Sequence, residues 1–260
     1  MSRLKDGLVR IADSISFAGF SVMLAFASAY YSKNAWSKRH EILSQMYNAA
    51  VKTFPVISIV AIFTGMILSL QIGVEMKVFH MQNLVGHTII SILTREMGPF
   101  IAGIILIASM GAAITAEIGT MKVSEEIDAL EVMSISPVKF LVMPRVIAMA
   151  VMTPIVAVYI TVLGTLGGAI VADAQLGVTY NVYYAHVLKG IKLKAIYSGL
   201  LKAHIFGVII SSVSCAYGLK ANNGALGVGK GTRDAVVASF ILVLVCGYIV
   251  TSIFYGGGKQ

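Results

Sequence analysis

The feature that most limits the fold of this chain is a set of five long runs with almost no charged residues. They cover about 53–73, 97–116, 146–172, 203–219 (with a start near 195 as an alternative) and 235–258. A helix needs about 20 apolar residues to cross the hydrocarbon core of a bilayer. Only 12% of all residues are charged, and the mean hydropathy is +0.85. The sequence therefore predicts an all-α integral membrane protein with five transmembrane helices.

These runs use most of the 260 residues, so we expect a single membrane domain over 1–260 with no soluble catalytic domain. The net charge of +8 does not indicate binding to nucleic acid, because the basic residues lie scattered at the edges of the runs. Basic residues in those positions are typical of anchors at anionic membrane surfaces. We therefore expect no nucleic-acid partner.

Residues 14–32 form a further apolar segment with three alternative readings. Basic residues before it and small residues at 27–29 resemble a secretory signal peptide, and a sixth span is also compatible with its composition. Lys and Arg lie on both of its flanks, however, whereas a crossing helix would place one flank outside the cell. We therefore predict that 1–40 is an interfacial region whose helix lies on the membrane surface.

The distribution of basic charge also predicts the orientation of the chain, because Lys and Arg concentrate on the cytoplasmic side. With five spans, a cytoplasmic N-terminus and an outer C-terminus place most of the 20 Lys and Arg residues inside. The connection between spans two and three, residues 117–145, is then cytoplasmic. It carries much of the acidic charge of the chain, in Glu117, Glu125, Glu126, Asp128 and Glu131.

This acidic segment has the pattern of a short amphipathic helix. Ser124 is a suitable N-cap, acidic residues follow it in the first turn, and the Ser-Pro pair at 136–137 ends the helix. Val123, Ile127 and Leu130 recur at helical spacing on one face. The charges alone fit a solvated connector, whereas the apolar stripe favours a helix that binds a groove on a partner.

Small residues recur four apart in three of the runs, and such stripes let helix backbones approach closely in lipid. The stripes are Ala108, Ala112 and Ala116; Gly164, Gly168 and Ala172; and Gly207, Ser211 and Cys215. They predict a closely packed helical bundle that also self-associates.

The stretch GALGVGKG at 224–231 follows the phosphate-binding loop pattern as far as Lys230. The next residue is Gly231, where that motif needs Ser or Thr to bind Mg²⁺, and an apolar helix follows without a preceding strand. We interpret the glycines as a tight turn between spans four and five. We expect no ATPase or other enzyme activity in this chain, and no cofactor or metal.

The segment AEIGTMKVSEEIDALEVMSISPVKFLVMPR (116–145) resembles the signature of the MlaE/YrbE permeases. These are the membrane subunits of phospholipid-transporting ABC systems that work with Mce-domain proteins. TFPVISIVAIFTGMILSLQ (53–71) is similar to the first span of that family, and residues 93–119 are similar to its second span. Residues 224–239 resemble the lead into its last span, so the similarity runs from about 40 to 255.

The resemblance implies a single permease domain over 1–260, with an interfacial helix in 1–40, a transmembrane bundle over 53–258 and a coupling helix at 117–137. That helix would dock into a cytoplasmic ABC ATPase subunit. The implied assembly is a homodimer in the bacterial inner membrane, with a periplasmic Mce-domain protein and a small STAS-domain subunit as further partners. Its function would be to move phospholipids between the inner membrane and the Mce-domain carrier, which supports outer-membrane lipid asymmetry.

Two sets of candidate site residues follow from the residues and the resemblance together. The residues expected to couple to the ATPase are Glu117, Val123, Glu125, Glu126, Ile127, Asp128, Leu130 and Glu131. The residues expected to bind lipid are Arg95, Glu96 and Lys202 at the headgroup, and Ile67, Leu68, Leu70, Val74, Leu93 and Met97 along the tails.

The charged members of the lipid set lie at the outer edges of spans two and four. An ionisable residue within the bilayer costs about 2.5–3.5 kcal/mol, so it usually pairs with another charge or serves a polar ligand. We expect Arg95 and Lys202 near a phosphate, with Glu96 balancing them. Snorkelling is the alternative for Lys202, and helix packing is the alternative for the apolar residues. Glu117 and Arg145 flank the acidic segment, and an ion pair between them is compatible with the sequence.

A second class of function needs no ATPase: a lipid facilitator or a membrane scaffold. In that class residues 122–133 are an inert connector. The apolar stripe of the acidic segment is the feature that separates the two classes, because only a transporter subunit needs a helix that binds an ATPase.

Overall fold

The structure, a computed structural model, describes residues 17, 19–31, 33, 36, 38–51 and 53–256, and these contain helices and no strand. In chain order the helices are α1 (Gly19–Tyr31), α2 (Arg39–Val51), α3 (Phe54–Val78), α4 (Gln82–Val123), α5 (Glu126–Val132), α6 (Val138–Leu176), α7 (Tyr180–Gly190), α8 (Leu193–Leu219) and α9 (Gly224–Tyr255). Five of them, α3, α4, α6, α8 and α9, are long and apolar enough to cross a membrane. The predicted fold class is confirmed.

The spanning helices are longer than the apolar runs that predicted them. Helix α4 has 42 residues and begins well before the run at 97–116. Leu93–Met97 and Ile107–Gly111 within it form π-helical turns. The apolar runs mark only the part of each helix that suits the hydrocarbon core of the bilayer. Each helix continues beyond its run into more polar sequence, where the backbone keeps its helical hydrogen bonds.

Helix α1 is apolar but shorter than the five spanning helices, and it is also shorter than the roughly 20 residues that a crossing requires. Met23, Phe26 and Tyr30 are 68–74% exposed on one side, while Leu24 and Ser28 are buried on the other. This arrangement fits an interfacial helix. Residues 1–16 of the predicted interfacial region lie outside the described part of the chain.

The chain forms two compact units. The first unit comprises Met1–Ala49, Leu106–Ala150 and Gly207–Val245, and the second comprises Ala50–Ile105, Val151–Phe206 and Cys246–Gln260. The single permease domain over 1–260 stays a prediction.

In the second unit, small residues bring α3 and α6 into backbone contact. A Cβ atom added to Gly65 would lie 1.8 Å from the carbonyl oxygen of Gly164, so Gly65 does not accept a side chain unless a helix moves. The Ser69 hydroxyl donates a 2.8 Å hydrogen bond to the carbonyl oxygen of Gly168. The predicted stripe at 164–172 is therefore used for packing within the chain.

The core of the second unit gathers around the first part of α4 and the short helix α7. Val85, Ile89 and Tyr183 are fully buried there. Burial raises the pKa of the Tyr183 phenol, which stays protonated and donates a 3.1 Å hydrogen bond to the carbonyl oxygen of Thr165. Helix α7 is therefore held against α6 by both apolar packing and a satisfied hydroxyl.

The first unit packs α4 against α8 in the same manner. The Thr115 hydroxyl donates a 3.1 Å hydrogen bond to the carbonyl oxygen of Ser214. A Cβ atom added to Gly218 would lie 2.8 Å from Ile118. Ahead of α1, the ring of Phe17 stacks on Tyr217 with 4.5 Å between centroids. Of the two stripes predicted in this unit, Ser211 and Cys215 are buried, whereas Ala108 of the stripe at 108–116 is exposed.

The predicted turn at 224–231 is wrong in its position. The connection between α8 and α9 lies just before it, where Asn223 and Gly224 have φ values of 64° and 65°. Gly227, Gly229 and Gly231 belong to the first turns of α9. Two consecutive left-handed residues reverse the chain, so the later glycines are not needed for the turn.

Candidate functional site

A charged cluster in the second unit begins at the π-helical turn Leu93–Met97 of α4. Leu93 is fully buried and fixes one side of the turn. On the other side α8 approaches so closely that a Cβ atom on Gly199 would lie 2.0 Å from the carbonyl oxygen of Thr94. A π turn inserts one residue into a helix and recurs at functional sites. Here the turn and the close approach bring residues 95–96 to α8.

Lys202 of α8 forms the centre of the cluster. Its ammonium lies 2.6 Å from Glu96 Oε2 and donates a 3.0 Å hydrogen bond to the carbonyl oxygen of Arg95. The Lys202 side chain is 1% exposed, whereas that of Glu96 is 36% exposed. The Thr251 hydroxyl of α9 donates a further 3.0 Å hydrogen bond to Glu96 Oε1. Lys202 is thus paired within the protein and does not snorkel.

Arg95 has a different environment from Lys202. Its guanidinium carbon lies 3.7 Å above the ring of Tyr255 in the last turn of α9, in a cation–π contact. Its Nε is buried and has no hydrogen-bond partner among the described residues. The ammonium of Lys194 lies 5.1 Å from the same ring, and the Tyr255 hydroxyl is 3.2 Å from that of Ser198. Tyr255 thereby holds two cations near one carboxylate.

The balance of charge in this cluster favours an anion as its ligand. Arg95, Lys194 and Lys202 carry positive charge, and Glu96 is a carboxylate that pairs with Lys202. Lys202 is buried, Arg95 is partly buried and Lys194 is exposed. A partly buried cation without a carboxylate is stabilised by a ligand such as phosphate, which accepts charge-assisted hydrogen bonds. Glu96 satisfies Lys202 and water can satisfy the exposed Lys194, so Arg95, with its buried and unpartnered Nε, is the cation with unused donors.

The apolar residues predicted to contact lipid tails fall into two groups. Ile67, Leu70 and Val74 on α3 are 64%, 42% and 52% exposed. Leu68 and Met97 are partly buried against the core of the second unit, and Leu93 is fully buried within it. The exposed group is available to a lipid, whereas Leu93 supports the π turn from inside.

The acidic segment lies in the first unit and departs from the predicted helix at both ends. Helix α5 begins at Glu126, because Ser124 completes α4 through a hydrogen bond to Thr120 and Glu125 takes a left-handed conformation with φ of 59°. The predicted N-cap at Ser124 is therefore wrong. Once Glu125 has turned the chain, the new helix starts without a side-chain cap.

The end of α5 was also predicted too late. The helix ends at Val132, where Ser134 has a φ of 60°. The amide of Ser134 donates to the carbonyl oxygen of Glu131, and that of Ile135 donates to Leu130. This pair of hydrogen bonds closes a helix with a left-handed residue just beyond it. The Ser-Pro pair at 136–137 instead precedes α6.

Two ion pairs and one buried side chain fix the acidic segment. Arg145 lies 2.9 Å from Glu117 and donates a 2.7 Å hydrogen bond to the carbonyl oxygen of Leu141. The predicted pairing of Glu117 with Arg145 is confirmed. Asp128 pairs with Lys122, and Ile127 is 2% exposed.

The remaining members of the coupling set differ in their exposure. Val123, Glu125, Glu126 and Glu131 face outwards, whereas Leu130 is half-buried. Because Ile127 is buried within this chain, it anchors α5. The surface left for a partner combines the acidic side chains with the exposed Val132 and Met133.

Comparison with known proteins covers most of the chain. Residues 42–253 match the family described as Permease MlaE. The chain belongs to the MlaE permease family. It is 38% identical over 214 residues to a probable ABC transporter permease protein of Rickettsia typhi, across 82% of this chain and 83% of that protein.

Other relatives of this MlaE permease come from photosynthetic organisms. A probable ABC transporter permease protein of Synechocystis is 31% identical over 84% of this chain and 83% of its own length. The Arabidopsis thaliana protein TRIGALACTOSYLDIACYLGLYCEROL 1, chloroplastic, is 31% identical over 83% of this chain and 61% of its own length. The MlaE permease described here is a multi-pass membrane protein with relatives named as probable ABC transporter permeases, and a permease of that class implies an ATPase partner.

Several side chains of the charged cluster were missed in the sequence. Lys194, Ser198, Thr251 and Tyr255 are distant from Arg95 along the chain, and single polar residues near span ends are too common to stand out. Tyr255 also lies beyond the matched residues 42–253. Only the packing of α4, α8 and α9 in the second unit brings these side chains together.

Proposed function

We propose that this permease moves phospholipids between the bacterial inner membrane and a periplasmic Mce-domain carrier, and so supports outer-membrane lipid asymmetry. The observation that carries the proposal is the Arg95–Glu96–Lys202 cluster, which has more positive than negative charge and lies on otherwise apolar helices. A phospholipid needs the same combination. Its phosphate requires a cation, and its tails require an apolar surface such as Ile67, Leu70 and Val74 provide.

The energetics of the cargo support an apolar route. A lipid with two chains of about 15 methylenes carries about 24 kcal/mol of transfer free energy, at about 0.8 kcal/mol per methylene. Passage through a water-filled channel would cost this free energy, because the acyl chains would be exposed to water. Apolar helix faces avoid the cost by keeping the chains in contact with apolar side chains. In our proposal two copies of the chain enclose the route, and a STAS-domain subunit belongs to the same assembly.

The proposed mechanism couples ATP hydrolysis to this route through the segment 117–137. An ATPase subunit binds the exposed acidic surface of that segment, and its motion is passed to α4 and α6 by the flanking connections. The pairing of Glu117 with Arg145 supports this role, because it ties the start of the segment to the start of α6. Coupling by a rigid, anchored helix needs such a tie.

Arg95→Gln tests the headgroup assignment. It removes the cation with unused donors and leaves the Lys202–Glu96 pair in place, so we expect phospholipid occupancy to fall about tenfold, the typical effect of losing a charged hydrogen bond. Occupancy is measured by mass spectrometry of the purified protein. Lys189→Gln is the matched control, because it removes the same charge from the exposed last turn of α7. Equal occupancy in the two variants would reject Arg95 as a headgroup ligand.

A further inference from the structure

A second polar site lies in the first unit and shares no residue with the charged cluster of the second unit. It is a cleft of about 480 Å³ lined by Tyr31, Lys38, Ser134, Ile135, Ser136, Lys139 and Phe140. This volume falls within the range of about 300–1,000 Å³ that is typical of small-molecule sites. The cleft joins the chain after α1 to the connection between α5 and α6.

The lining of this cleft is basic. Lys38 and Lys139 face it together with two serines and one tyrosine, and none of its lining residues is acidic. Lys38 already pairs with Glu41, whose carboxylate lies 3.0 Å from its ammonium, so Lys139 carries the positive charge that a ligand would meet. The ammonium of Lys38 lies 3.8 Å from the centre of the Phe140 ring, a contact that holds the two walls together. Lys139 is exposed and forms no ion pair with the described residues. Cations beside hydroxyl donors are the groups that bind phosphate oxygens.

The surroundings of the cleft place it at the level of lipid headgroups. Tyr30 and Trp36 are 70% and 81% exposed, next to the exposed apolar side of α1. The ammonium of Lys33 lies over the Tyr30 ring, and Arg39 lies over Trp36. Trp and Tyr beside Lys and Arg mark the boundary between membrane and water. The predicted orientation makes this boundary the cytoplasmic one.

We propose that this cleft binds the phosphate of an anionic phospholipid from the cytoplasmic leaflet. Basic pockets on the cytoplasmic side of membrane helices bind such headgroups. The proposal rests on the position of the chain in a membrane and not on phospholipid transport. A bound lipid would link α1 to the connection that follows α5, and so would make the position of the acidic segment depend on the charge of the membrane.

Trp36 is the only tryptophan of the chain and lies two residues from Lys38, so its fluorescence reports on lipids at the cleft. The full chain is reconstituted in phosphatidylcholine bilayers that contain phosphatidylglycerol brominated in its acyl chains, at about 0.15 M salt, where charges more than about 8 Å apart are screened. We expect brominated phosphatidylglycerol to quench Trp36 at a several-fold lower mole fraction than brominated phosphatidylcholine. Lys139→Gln should remove most of this preference and bring the two mole fractions to within about twofold of each other.

Lys33→Gln is the matched control, because it removes an equal charge from an exposed residue outside the lining of the cleft. It should change the preference less than twofold. An equal loss in both variants, or equal quenching by the two lipids, would overturn the proposal in favour of diffuse surface charge. Displacement of the lipid by millimolar inorganic phosphate at constant ionic strength would assign the cleft to a free anion instead. A Lys139→Gln protein that keeps its lipid preference but loses its ATPase partner would assign it to a protein contact.

Discussion

Lys202 and Arg145 are cations that the protein buries almost completely, and each is paired with a carboxylate that stays partly exposed. The side chains of Lys202 and Glu96 are 1% and 36% exposed, and those of Arg145 and Glu117 are 6% and 54% exposed. The two members of each pair therefore depend on each other unequally. A carboxylate that loses its partner still reaches water, whereas the buried cation is left without compensation.

This asymmetry predicts different stabilities for two variants of one ion pair. Glu96→Leu should lower the free energy of unfolding by about 3 kcal/mol, because it leaves the buried ammonium of Lys202 uncompensated. Lys202→Met should cost less than half as much, since the partly exposed Glu96 turns to water. Thermal unfolding of both variants in the same detergent measures the difference. The opposite order would show that the burial of Lys202 does not govern the pair.

The contact between α3 and α6 depends on two glycines that face each other. Gly65→Ala should destabilise the protein by about 1–3 kcal/mol, because its Cβ atom would meet the Gly164 backbone and the helices would have to separate. Gly229→Ala is the control, because it lies in a helix with no atom within 4 Å of an added Cβ. That variant should be neutral or up to about 1 kcal/mol more stable. Equal melting temperatures of the two variants would contradict close packing at Gly65.

The spanning helices could be predicted from sequence because a helix needs a long apolar segment to cross a bilayer, and each of the five runs is such a segment. The ends of α5 could not be predicted from sequence. They depend on Glu125 and Ser134, two residues in left-handed backbone conformations that usually belong to glycine or asparagine. The small-residue stripes at 164–172 and 207–215 correctly predicted close contacts, whereas Ala108 of the third stripe is exposed. Much of those stripes is used inside the chain, as at Gly168, so self-association remains a prediction.

The charged cluster was only partly predictable for a related reason. Arg95, Glu96 and Lys202 stood out because charge is rare in these runs, and the structure brings all three together. Their supporting residues, such as Tyr255, carry no such signal and come from the far end of the chain. The burial of Ile127 was also missed, since a helical stripe does not reveal whether it packs inside the chain or against a partner.

The central claim is that this chain is the lipid-binding permease of an ATP-driven assembly, and composition of the intact complex tests it most directly. Native mass spectrometry compares the wild type with a Glu126→Lys, Glu131→Lys variant, both purified gently from their own host membrane. Both residues are exposed on the acidic segment, so their reversal should leave the fold intact.

We predict two copies of the wild-type chain with two ATPase subunits and bound phospholipid. The variant should keep its phospholipid and lose the ATPase, because the acidic surface of α5 would then repel its partner. A wild-type chain that carries neither ATPase nor phospholipid would contradict this account. It would leave α5 as a connector in a membrane scaffold.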